Sequence, residues 1–125
     1  AKMDKRLAEL AILTVARKWT AQFEWYAHKK FAIAAGLSED VIDSIEQREP
    51  PHFVNEDEKA IYNFSIELQE SHSVDDVTFD EAIRHIGRTG VTDLVGLLGY
   101  YTLVSMTLNV YQIPLPNSEP PPLDP

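Results

Sequence analysis

The stretch TAQFEWYAHKKFAIAAG, residues 20–36, interleaves alanines and aromatic residues with a few charged side chains. Its apolar positions recur three and four apart, the spacing of an α-helix, and Gly36 stands where a left-handed C′ residue would end one. Successive helix residues lie about 100° apart around the axis. With Glu24 set at zero, His28, Phe31, Ala35 and Thr20 fall within about 40° of it. Ala21, Ala27, Ala32 and Ala34 flank that arc, with Trp25 and Phe23 at its edges. Gln22, Tyr26, Lys29, Lys30 and Ile33 take the far side. The lysines mark the wet face, so Glu24 and His28 are predicted to point inward.

The segments on either side follow the same period. Residues 4–19, DKRLAELAILTVARKW, read as a preceding helix. Between Leu7 and Ala16 its one charged residue is Glu9, and a helix apolar on every side is buried, so Glu9 is expected to be shielded. Ser38 caps a short helix, EDVIDSIEQR, that stops before Pro50 and Pro51. Asn55 with Glu58, and Thr78 with Glu81, have capping-box spacing ahead of EDEKAIYNFSIELQESH and FDEAIRHIG. Gly90 is expected to break the chain, and a long apolar helix begins near Val91. No stretch alternates with period two. The fold class is all-α, with about six helices.

Two segments depart from ordinary amphipathic helices. Leu94 to Ile113 carries no charge and is long enough to span a bilayer. It also contains Ser105, Asn109 and Gln112, with no Lys or Arg immediately outside either end, so the expectation is a buried core helix and no membrane. Residues 1–113 form the helical domain. Residues 114–125 form a tail in which six of 12 residues are proline, read as frayed and extended, with a polyproline arm across a neighbouring subunit as the alternative.

Composition closes off several function classes. The 125 residues make one domain, with 20 acidic side chains against 11 Lys and Arg and a formal charge of -9. That balance opposes nucleic-acid binding and anionic membrane surfaces. There is no cysteine, so disulfides and thiol chemistry are excluded. No secretory signal is visible, and a cytoplasmic location is the default. Residue 1 is Ala rather than Met, which suggests processing or a fragment of a longer chain.

Burying a carboxylate and an imidazole is costly unless they are paired. One reading of Glu24, His28 and Glu9 is a small acid/base site in which His28 titrates near neutrality and the carboxylates hold its tautomer. The other is a satisfied ion pair that joins helices or subunits. A catalytic site should further show, in the intact oligomer, a solvent-connected cavity bordering all three residues. His52, His72 and His85 are read as surface or helix-end residues. No His-x-x-x-His or Glu-x-x-His pair accompanies the cluster, so neither a metal nor a cofactor is expected.

The pieces RLAELAIL (6–13), EWYAHKKFAIAAGLSEDVIDSI (24–45), VTDLVGLLGYYTLVSMTLNVY (91–111) and PPPL (120–123) together resemble the carboxymuconolactone decarboxylase / alkylhydroperoxidase D-like superfamily. The resemblance implies an oligomeric helical domain, commonly a trimer or hexamer, and an upstream helical stretch absent here. The family's peroxidase branch places a Cys pair before the histidine; those positions fall on Ala21 and Glu24 here, and the upstream glutamate on Glu9. Without thiols, peroxidase activity is excluded. The decarboxylase branch carries Glu-Leu-x-x-His where this chain has Glu24-Trp25-x-x-His28. That similarity implies a cofactor-free lyase or isomerase of aromatic-compound degradation, acting on a small carboxylated lactone or unsaturated acid. His28 would be the proton donor, Glu24 its partner acid and Glu9 the relay to solvent. Trp25 and Tyr100 would wall the pocket. The alternative is a non-catalytic oligomer of the same fold that binds a ligand or serves a structural role.

Overall fold

A computed structural model describes residues 3–125 and is helical throughout its regular structure. Five α-helices run in order: α1 (Lys5–Lys18), α2 (Gln22–Ala34), α3 (Glu39–Glu46), α4 (Glu56–Ser71) and α5 (Asp76–Tyr111), followed by a 3-10 turn at Pro116–Ser118. The all-α class agrees with the sequence, and the helix count is five rather than six. The difference lies at Gly87. There the backbone turns through φ 71° and ψ 176°, kinking α5 where FDEAIRHIG ends, and the helix resumes without the break expected at Gly90.

α1 is the central element and packs against each of the other four helices. That placement explains its composition: every residue from Leu10 to Arg17 is buried, so no face of this part can be polar without a partner. Asp4 caps it by accepting from the Arg6 backbone N–H at 2.8 Å. The Arg6 guanidinium then reaches α4, gripping Asp57 at 2.7 Å and the buried Glu58 at 2.5 Å. Asn55 begins α4 without a side-chain cap to the backbone, because its amide donates to Glu58 instead. Thr78 does not cap α5 either. Asp75 does so, accepting from the Thr78 N–H at 2.8 Å, while Glu81 pairs with Arg84.

Gly36 behaves as expected. Its φ of 99° lets the Leu37 N–H reach back to the Ala32 carbonyl and close the end of α2. Ser38 then opens α3 by accepting from the Asp40 N–H.

Two expectations are overturned. The apolar half of α5 is not buried within the chain: only 22 % of its most apolar window is covered. Leu94, Leu98 and Ser105 face the core, whereas Val95, Leu103, Met106 and Val110 are exposed. These four lie within about 80° of one another around the helix, a continuous apolar stripe. Gly99 shares that arc and has nothing within 4 Å of where a Cβ would sit. The proline-rich tail is not frayed. It returns to the domain, where Leu123 is buried at 4 % exposure and Gln22 clasps its backbone, donating to its carbonyl and accepting from its N–H, both at 2.8 Å.

Candidate functional site

The inward arc of α2 meets α1 at a cluster of three ionisable groups. Glu24 is buried, and the His28 side chain is only 12 % exposed. His28 Nδ1 lies 2.6 Å from Glu9 Oε2, one helix away, and its Nε2 lies 3.3 Å from Glu24 Oε2, one turn away. The first contact is a short hydrogen bond. The second has ion-pair distance without hydrogen-bond geometry, so Glu24 Oε2 remains a buried oxygen lacking a well-placed donor. The structure thus brings Glu9, Glu24 and His28 together.

The protonation state follows from the partners. A neutral imidazole has one N–H and one lone pair, and here the lone pair would face a carboxylate. Protonation turns that repulsion into attraction. Burial pushes the imidazolium toward losing its proton, but the charges of Glu24 and Glu9, with the Glu9 hydrogen bond, outweigh it and raise His28 to about 9. The group is therefore an imidazolium at neutral pH, held in a cluster of net negative charge.

Aromatic rings cover the remaining sides. Phe31 and Tyr101 both meet the His28 ring edge-on, with centroids 5.3 and 5.2 Å away. Burial, then the nearby Glu24 and Glu9, push the Tyr101 phenol upward, so it stays protonated. The two pocket-wall expectations need correction. Trp25 is fully buried in the core, and its indole N–H finds no acceptor. That omission costs about 1–3 kcal/mol, against roughly 4 kcal/mol from burying the ring. Tyr100 is 58 % exposed and touches the cluster only through Tyr101, against which its ring stands at 90°. Tyr101 is the tyrosine whose ring meets His28. It continues the core-facing series Leu94, Leu98, Tyr101, Ser105, spaced four, three and four apart, which is visible in the sequence.

Phe31 also departs from its expected place, with 55 % of its surface exposed despite its position on the inward arc. It lines a cavity of ≈ 360 Å³ together with Lys5, Ala8, Glu9, Ala34 and Ala35. The cavity reaches Glu9, but His28 and Glu24 are not among its walls, so it does not border all three residues. Among the described residues, no three His, Asp or Glu side chains are grouped to hold a metal ion. Compared with models of known protein families, with curated proteins and with solved structures, the chain matches none.

Proposed function

We propose that the chain is a cofactor-free acid/base catalyst of the carboxymuconolactone decarboxylase-like type, decarboxylating or isomerising a small carboxylated lactone or unsaturated acid. The observation that carries this reading is the His28 imidazolium bracketed by carboxylates on both ring nitrogens in a partly dry site. An imidazolium near 9 is a weak acid at neutral pH, suited to delivering a proton to carbon.

In the decarboxylation, the carbon–carbon bond to the carboxylate breaks and CO2 leaves. The electron pair passes into the conjugated carbonyl as a dienolate. His28 supplies the proton that the carbon then takes up, and Glu9, at the cavity wall, carries protons between His28 and the cavity. Glu24 holds the second ring nitrogen and stabilises the cation. In isomerisation no CO2 is lost: the Glu9 carboxylate takes a proton from one carbon of the substrate, the dienolate forms, and His28 returns a proton to another carbon.

The experiment combines turnover with folding. A carboxylated unsaturated lactone is incubated in D2O with the intact protein, and both CO2 release and deuterium at carbon are followed. His28→Gln should abolish both while leaving the melting temperature within a few degrees. If neither signal exceeds the buffer rate with the unmodified protein, the catalytic reading is lost.

A second reading has its own support. Phe31 and Tyr101 close over His28 and the cavity stops at Glu9, as suits an ionic network that fastens α1 to α2 in a ligand-binding or structural oligomer. In that case His28→Gln unfolds the chain or disperses the oligomer.

The assembly proposed is a homo-oligomer, a trimer or hexamer, with the stripe of α5 covered by a second copy.

A further inference from the structure

On the side of α1 remote from His28 lies a second cavity, of ≈ 300 Å³, walled by α1, α3, α4 and the residues after α3. Its charge is the reverse of the chain's. Three of the 11 Lys and Arg line it (Arg17, Lys18 and Arg48), against one of the 20 acidic residues, Glu70. None of the three cations forms an ion pair with an Asp or Glu side chain among the described residues; the Asp124 and Glu46 carboxylates act on Arg17 from further away, Glu46 being shared with Lys29 at 4.0 Å, and Arg48 donates to Pro125 O at 3.1 Å. In a protein of charge -9, so local an excess of positive charge calls for a counter-ion.

The polar groups there are held in place and incompletely used. Arg17 is 4 % exposed, and its terminal nitrogens donate to the Glu46 and Asp124 carbonyls and to the Thr20 hydroxyl, leaving Nε buried with no acceptor. Across the cavity, the Thr14 hydroxyl commits its proton to the Ala11 carbonyl at 2.7 Å and must accept from Gln69. Gln69 donates a second bond to the Ser65 carbonyl, an acceptor only, so the orientation of its amide is set. Its Oε1 is consequently the buried atom without a partner.

Backbone strain gathers at the same place. Thr20, a β-branched residue, sits at φ 47°, and Arg48 at φ 58°. The Thr20 hydroxyl accepts from both Arg17 and Arg48, each at 3.2 Å. Two unfavourable conformations thus serve to bring two guanidinium groups together, although burial and then Arg48 work against the Arg17 charge.

We propose that this cavity binds a small organic acid, its carboxylate held by Arg17, Lys18 and Arg48 and its apolar body resting on Ile45, Ile66 and Tyr62. The volume suits a molecule of one ring rather than a polymer. A carboxylate can accept charge-assisted hydrogen bonds from Lys18 and from the uncommitted N–H groups of Arg48, with the Arg17 charge behind them. The site is independent of the reaction proposed above, since Glu9, Glu24 and His28 do not line it.

Isothermal titration of the intact chain with benzoate, neutral benzamide and inorganic phosphate tests the assignment. Benzoate should bind saturably at one site per chain, with benzamide and phosphate at least about tenfold weaker. Arg48→Gln and Lys18→Gln should each weaken benzoate about tenfold. Arg48 also donates to the Pro125 carbonyl, so its loss can loosen the tail; exposed Lys18 keeps the test decisive if Arg48→Gln folds poorly. Absence of saturable benzoate binding overturns the proposal. So does equal affinity for benzamide or phosphate, or undiminished binding in the Lys18 variant.

Discussion

A histidine with a carboxylate at each ring nitrogen ties its proton to the fold. His28 stands at 6.5 when free and about 9 here, the folded state favouring the cation. Its contribution to stability is therefore complete below pH 6.5 and is lost as pH rises from 6.5 through about 9. The amount is about 2 kcal/mol, discounted from the full linkage value because the ring is partly solvated. Carbon-detected NMR titration of His28 should give a midpoint near 9, falling toward 6.5 in Glu9→Gln; a midpoint near 6.5 in the unmodified protein would remove the bracketed imidazolium. Much of this cluster was legible in the sequence. Glu24 and His28 share one arc of α2, and Glu9 is the lone charge in an apolar run. The pairing of Glu9 with Nδ1 was not legible, since it depends on how α1 and α2 cross.

Among the helices, α5 shows where local patterns mislead. Its uncharged run promised burial, yet lack of charge does not say whether the covering surface belongs to the same chain. Gly90 looked like the stop, yet of the two glycines Gly87 is the one whose conformation needs glycine. Gly90 is helical and close-packed: a Cβ there would lie 2.7 Å from Cβ of Ile86, an atom too near the backbone to swing aside. Gly90→Ala should therefore destabilise by about 1–3 kcal/mol in urea denaturation. Gly96 has open space around it. Gly96→Ala should stabilise the isolated chain by about 0.5–1 kcal/mol, and a loss there would mean that a second copy presses against this face.

For the whole molecule, the exposed stripe on α5 and the returning tail make separate demands. Light scattering should give a mass that is a multiple of 14.2 kDa, and Leu103→Glu should reduce it to that of one chain; a monomeric unmodified protein would contradict self-association. Leu123→Ala should cost about 2–4 kcal/mol, measured by thermal melting, whereas a tail free in solvent would show no change. The tail's docking was hidden from sequence reading because proline content forbids helix without forbidding attachment. The polar clasp joins Gln22 to a residue 101 positions later. At ~5–20 residues per second, a ribosome needs roughly 5–20 s to travel that distance. Throughout that interval the amide of Gln22 has no Leu123 to grip, and the nascent chain waits unlatched, with one edge of its core open to chaperones.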